Sequence, residues 1–308
     1  MDRQRSLPII WHEAYEADIG AHVFPTRKYR SLKERLVREG VVKEADIRRP
    51  EPASNEQVGL VHTAAYLEKI VNDDFSWQDN MILEVPYSPQ LREAMWLCAG
   101  GSILTARLAL EYGLAAHLGG GFHHAFPDHG EGFCLINDVA VALRVLRAEG
   151  AIERATVIDC DLHHGNGTAA VFQNEAEVFT FSIHQQNNYP MYKPRSDLDL
   201  GLADGTGDAE YLELLRTHVP EILNGHRPDL VFYLAGADPY EEDQLGGLSL
   251  SRAGLRQRDE LILQLAAGAG VPVAITLAGG YARRFEDTVD IHFQTVRAAG
   301  RQLQRGRG

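Results

Sequence analysis

Four apolar runs in this chain each end in a cluster of glycines or polar residues. "LAAHL" (114–118) passes into "GGGFHHAF" (119–126), and "ATVID" (155–159) runs straight on into "CDLHH" (160–164). "DLVFYLAG" (229–236) precedes "ADPYEED" (237–243), and "VPVAITLAGGY" (271–281) closes on Tyr281. Near-continuous apolar strands separated by helices indicate a parallel sheet covered on both faces. Functional sites in open parallel sheets lie beyond the carboxyl ends of the strands. Four such ends carrying polar clusters therefore predict one constellation on one rim.

The intervening segments fit this α/β reading. "LPIIWHEAY" (7–15) reads as a first strand, and "TRKYRSLKERLVREG" (26–40) as a helix stopped by Gly40. "SPQLREAMWLCAGGSILTARLALEYG" (88–113) reads as one long helix with Ser88 as N-cap, Pro89 at its first position and Gly113 at its end. "TAAVFQN" is helix-like, "VFTFSIH" (178–184) is a strand, and 209–226 and 251–270 carry helical spacing. The Pro- and Asp-rich stretch 185–208 reads as irregular and as part of a pocket rim. With no internal repeat or linker, 1–308 is expected to form one domain. Its ordered core would span about 7–300, ahead of a fraying basic tail, "RQLQRGRG".

Composition narrows the class. Hydrophobic residues at 44% suffice for a core, and 43 acidic against 30 basic residues give a net charge of −13. That balance argues against a nucleic-acid or anionic-membrane binder. Cys98, Cys134 and Cys160 are odd in number and widely spaced, so no disulfide framework is expected. With no apolar signal core and no run long enough to span a membrane, a soluble cytoplasmic protein is the expectation.

The clusters hold chemistry. If the strand continued past Asp159, then Asp159, Asp161 and His163 would share one side by period-two alternation, and Asp161 and His163 could hold one cation. Isolated D-x-D and HH pairs also occur as caps and loop residues, so this cluster alone leaves the question open. Asp238 either serves its turn or completes an Asp₂His set with open coordination positions. Beside such a metal, His123 or His124 could act as general base and then acid, with Asp159 and Asn166 as partners fixing the tautomer. Tyr281 is either a rim tyrosine or a phenol aimed at a developing oxyanion.

The ordered motifs "GGGFHHA", "GEGFCLINDVA", "DCDLHHGNGT", "FSIH", "GADPYEEDQLGGLSLS" and "AGGY" resemble those of the histone deacetylase family, most closely its class IV branch and bacterial relatives. The resemblance implies an arginase/deacetylase fold, an eight-stranded, mostly parallel sheet flanked by helices. It implies zinc-dependent hydrolysis of N-acyl-lysine amides, acetyl or longer, with Asp161, His163 and Asp238 as zinc ligands. By position, His124 paired with Asn166 is the general base/acid, His123 paired with Asp159 its electrostatic partner, and Tyr281 the oxyanion donor. Gly132, Phe133, Tyr189, Leu245 and Gly279 correspond to the substrate tunnel. Asp159, Asp161, His163, Ser182 and Ile183 correspond to a site for a monovalent cation, potassium.

The neutral Asn166 stands where many members carry a second aspartate, which implies that His124 stays mostly neutral near pH 7. Three other readings compete: an acetylpolyamine hydrolase, for which the acidic "YEED" (240–243) would edge the pocket; a ureohydrolase, whose D-x-H-x-D run is missing; and an inactive acyl-lysine- or metal-binding module. Oligomeric state is not legible.

Overall fold

The computed structural model describes residues 6–305. Its elements in chain order are β1 (Ile9–Ile10), α1 (Lys28–Arg38), β2 (Ile47–Arg48), α2 (Asn55–Val58), α3 (Ala64–Val71), α4 (Trp77–Leu83) and α5 (Pro89–Tyr112). There follow β3 (Leu114–His117), α6 (Asp138–Ala148), β4 (Ala155–Asp159), α7 (Asn166–Phe172), β5 (Val178–Gln185) and β6 (Leu198–Leu202). The chain continues with α8 (Asp208–His226), β7 (Leu230–Leu234), α9 (Arg252–Gly268), β8 (Val273–Thr276) and α10 (Phe285–Arg305).

The strands form one eight-stranded sheet of order β2-β1-β3-β8-β7-β4-β5-β6, and every pairing is parallel. Strands β3, β4, β7 and β8 are buried along their whole length, as continuous apolar runs require when helices cover both faces. Register then places the rim. Asp159 lies level with Leu234 and Ser182, Leu234 with Thr276, and Ala116 with Ile275. The segments leaving β3, β4, β7 and β8 therefore emerge side by side.

Local signals account for the long helix. The Ser88 hydroxyl accepts the Leu91 N–H at 3.1 Å, Pro89 occupies the first position, and Gly113 ends the helix at φ 87°. Elsewhere the structure departs from the expectation. The first strand is only Ile9–Ile10, because His12 Nδ1 accepts the Ala14 N–H and turns the chain into a short 3-10 segment. The stretch 185–208 holds an edge strand, β6, whose burial alternates and which therefore lacks an apolar run. "RQLQR" forms the last turn of α10 rather than a frayed tail, while Gly306–Gly308 lie outside the described residues. Among the described residues, no helix is long and apolar enough to cross a membrane.

Candidate active site

The loop after β3 is held by a residue that sequence reasoning passed over. Asp138, at the start of α6, accepts the Phe122 N–H at 2.8 Å and the Gly121 N–H at 3.0 Å, and the Ser102 hydroxyl donates to its other oxygen. Gly120 and Gly121 sit at φ 68° and 85°, and a β-carbon on Gly121 would stand 2.8 Å from the Ala278 side chain. The loop is stitched to the segment after β8 by Leu277 N–H to Gly119 O and Ala278 N–H to Gly120 O. These contacts fix where His123 and His124 emerge.

β4 stops at Asp159, so the period-two argument for Asp161 and His163 fails: both residues lie in the turn beyond the strand. Hydrogen bonds gather them instead. Asp159 Oδ1 accepts the Asp161 N–H at 3.0 Å, Asp161 Oδ1 accepts the His163 N–H at 2.9 Å, and Asp238 Oδ1 accepts the Leu162 N–H at 2.9 Å. His163 Nδ1 ends 3.2 Å from Asp161 Oδ1 and 3.4 Å from Asp238 Oδ2. Behind them, the buried Arg258 guanidinium donates to Cys160 O and Gly236 O, tying together the two loops that carry these carboxylates. Arg258 is one of three arginines in α9, and nothing in the sequence singles it out for that role.

This trio fits a metal ion. One donor atom from each of Asp161, His163 and Asp238 lies within 4.8 Å of the others, and all three residues are buried. Asp238 Oδ2 is buried without any hydrogen-bond partner, a costly state for an acceptor. Burial, and then the charge of Asp161, raise the Asp238 carboxyl above its ordinary range. A cation would relieve both strains, and the mixed oxygen and nitrogen donors suit zinc. In a second cluster, His164, His184 and Asp199, His164 Nε2 is already taken by Asp199 Oδ1 at 3.0 Å, and His184 Nδ1 lies 3.0 Å from Ser182 Oγ outside the cluster.

The paired histidines stand beside the trio. His123 Nδ1 lies 2.7 Å from Asp159 Oδ2, His124 Nδ1 lies 2.7 Å from Asn166 Oδ1, and the two Nε2 atoms are 3.1 Å apart. Burial opposes a charge on His123, but the Asp159 and Asp161 carboxylates outweigh it and lift its pKa to about 9. Burial, then the neighbouring His123 and His163, hold His124 well below the usual imidazole range. One ring is thus disposed to be cationic and the other neutral.

Above these groups lies a cavity of about 390 Å³ lined by His124, Gly132, Phe133, His163, Tyr189, Leu245 and Tyr281, with His22 and Glu84 among its other walls. Burial and the Asp238 charge raise the Tyr281 phenol well above 10, so it keeps its proton. Gly279 lies lower, against the carboxylates: its N–H donates to Asp161 Oδ2 at 2.7 Å, and it lines a separate space of only about 20 Å³ with Phe24, Gly121 and Phe122. Asp159 and Ser182 sit level on neighbouring strands, with Ile183 next along β5. "YEED" does not edge the cavity. Its Asp243 is buried and accepts the Leu245 and Tyr281 N–H groups at 2.9 and 2.7 Å. The carboxylate that does line it is Glu84, while Glu131 stands behind the wall, accepting the Tyr189 hydroxyl. Glu131 went unremarked in the sequence, although "GEGFC" contains it.

Such a rim on an all-parallel eight-stranded sheet is that of the arginase/deacetylase fold. The histone deacetylase domain model matches residues 22–296, and the chain belongs to the histone deacetylase family. An uncharacterized protein of Picosynechococcus is 40% identical over 95% of this chain and 98% of its own. The histone deacetylase-like amidohydrolase of Pseudomonas aeruginosa is 30% identical, covering 83% of this chain and 71% of that protein. Histone deacetylase 2 of Arabidopsis thaliana is 29% identical over 92% and 78%. The solved HDA15 HD domain superposes with a TM-score of 0.77 at 23% identity, covering 95% of this chain and 88% of that one, a likeness of fold.

Proposed function

We propose that residues 1–308 form one catalytic domain that hydrolyses N-acyl-lysine amides with the help of zinc. The observation that carries this reading is the clustering of Asp161, His163 and Asp238 beside His123 and His124, with His124, His163 and Tyr281 lining one cavity of about 390 Å³. Asp161, His163 and Asp238 would hold the zinc, which when bound supplies Lewis acidity to the amide carbonyl. His124, kept neutral, takes the proton of the attacking water through Nε2 and later returns it to the leaving amine. His123, anchored on Asp159, provides positive charge alongside. Tyr281 donates its hydroxyl proton in a hydrogen bond to the oxyanion as it develops. Phe133 and Tyr189 flank the alkyl chain of the substrate, with Leu245 and Gly132 completing the wall.

Backbone and side-chain oxygens of Asp159, Asp161, His163, Ser182 and Ile183 would supply the hard donors that potassium takes. Three free, buried cysteines support a reducing cytoplasm as its setting. Glu84 at the cavity wall favours a second reading, a small cationic acylamine as substrate. The test is steady-state hydrolysis of lysine peptides carrying acetyl to long fatty acyl groups, with acetylspermidine included, before and after chelation and zinc restoration. Zinc-restored cleavage of the peptides supports the first reading. Cleavage of acetylspermidine alone supports the second, and silence throughout rejects both.

A further inference from the structure

Glu131 occupies a position that ties the reacting groups to the tunnel wall. Its Oε1 accepts the Asn166 Nδ2–H at 2.7 Å and the Tyr189 hydroxyl at 3.0 Å. The side chain is 20% exposed, so the carboxylate is largely shielded from open solvent. Its backbone is equally constrained. Glu131 and Cys134 exchange two N–H to carbonyl bonds of 3.1 and 2.9 Å across Gly132 and Phe133, which stand at φ 52° and 70°. A β-carbon at Gly132 would lie 2.7 Å from His124 Cδ2 and 2.8 Å from the Tyr189 hydroxyl. The turn that presents Glu131 therefore also presents Phe133, and Phe133 N–H is held by Leu83 O at 2.8 Å.

The consequence reaches His124. A carboxylate has no hydrogen to give, so Asn166 must turn its amide nitrogen toward Glu131 and its oxygen toward His124. The Oδ1 that then faces His124 Nδ1 can only accept, which requires the proton of a neutral His124 to sit on Nδ1. The lone pair is left on Nε2, the atom 3.1 Å from His123 Nε2. With Glu131 removed, the amide could flip and offer its NH₂ to Nδ1, drawing the proton toward Nε2 in competition with the His123 Nε2 contact. The Tyr189 ring, held by the same oxygen, stands edge-on to the His124 ring at 5.1 Å and 86°.

We propose that Glu131 is a positioning residue that sets the Nδ1–H tautomer of His124 through Asn166 and locks the Tyr189 wall in place. The proposal rests on the hydrolytic role assigned to His124, and its test separates the two. Imidazole ¹⁵N NMR of the full-length protein would report the His124 tautomer, alongside kcat and KM on an acetyl-lysine peptide, for wild type, Glu131→Ala, Glu131→Gln and Tyr189→Phe. Wild type is expected to show Nδ1–H alone. Glu131→Ala is expected to show mixed tautomers and lose about 10-fold in kcat, part of the roughly 10²–10⁴-fold a general base supplies. Glu131→Gln keeps an acceptor oxygen and should restore most of both. Tyr189→Phe should raise KM while leaving the tautomer unchanged. An unaltered Nδ1–H form and unaltered kcat in Glu131→Ala would overturn the proposal. Should wild type cleave no acylamine, the hydrolytic reading falls, yet the NMR comparison still decides whether Glu131 orients His124.

Discussion

The Gly279 N–H donates to Asp161 Oδ2 at 2.7 Å, and a β-carbon on Gly279 would stand 2.0 Å from Asp238 Oδ2. The glycine thus lets backbone approach two carboxylates whose spacing a bound metal would depend on. Gly279→Ala must push one of them away, and neither is the end of a flexible chain. The variant is expected to fold, by circular dichroism, while its zinc content on elemental analysis falls well below one per chain. Full zinc occupancy would show that the close approach is not required.

Asn166→Asp places a carboxylate behind His124 Nδ1, which now lies 2.7 Å from the Asn166 oxygen. An anionic partner stabilises imidazolium and raises its pKa, whereas burial and the flanking His123 and His163 now hold it down. A general base must be neutral, so activity is lost as pH falls through that pKa. The acidic limb of the kcat/KM profile is expected to move to higher pH in the variant. A limb that stays in place would separate Asn166 from His124 in the mechanism.

Tyr281→Phe removes one oxyanion donor and little else, since the backbone N–H of residue 281 remains bound to Asp243. Turnover on acetyl-lysine peptide should drop about 10²–10³-fold, the scale for one such donor, with KM little changed. Near-wild-type turnover would take the phenol out of the reaction.

Lys28 is fully buried, and its ammonium donates to Ala278 O at 2.7 Å, at a residue held at φ 51°. Burial lowers its pKa to about 8, against the pull of Asp238 and Asp161. In the unfolded chain the same group titrates near 10.4, so between about 8 and 10.4 the unfolded state binds more protons. Stability from this residue therefore rises with pH across that window, by at most about 1.4 kcal/mol per unit. Urea unfolding of wild type and Lys28→Met at pH 7.5 and 10 measures the difference. An equal pH dependence in both proteins would remove Lys28 as its source.

The space beyond the carboxylates and histidines, lined by Phe24 and Phe122, is about 20 Å³. That is the scale of one small group, since about 10–15 Å³ is needed for a single water. Acetyl peptides are therefore expected to give a higher kcat/KM than decanoyl ones. A preference for decanoyl would mean that Phe24 and Phe122 swing aside in solution.

Much of the fold was legible because its cues are local. "ATVID" and "LVFYL" are apolar without interruption, and Ser88, Pro89 and Gly113 mark a helix by hydrogen-bond and dihedral preference alone. Where the cue was absent, the reading stopped. β6 alternates at a sheet edge, and α10 followed the last motif that drew attention. The candidate site was half legible. The residue types announced themselves, but the geometric reason offered for Asp161 and His163 did not hold, because the strand that should have aligned them ends at Asp159.

From the sequence alone came the sheet class, the rim where polar residues gather and the identities of the groups that could act there, all set by chain-local chemistry. Tertiary structure alone decided which groups meet. The parallel register brings Asp159, Leu234 and Thr276 level, so that Asp161, His163 and Asp238 meet while His163 and Tyr281 line one cavity. It also put Asp138 under the glycine loop, Arg258 under the ligand turns and Glu131 behind Asn166. These are hydrogen bonds between residues 16 to 98 positions apart. No local spacing rule reaches across such separations, because their partners are chosen by how whole strands and helices pack.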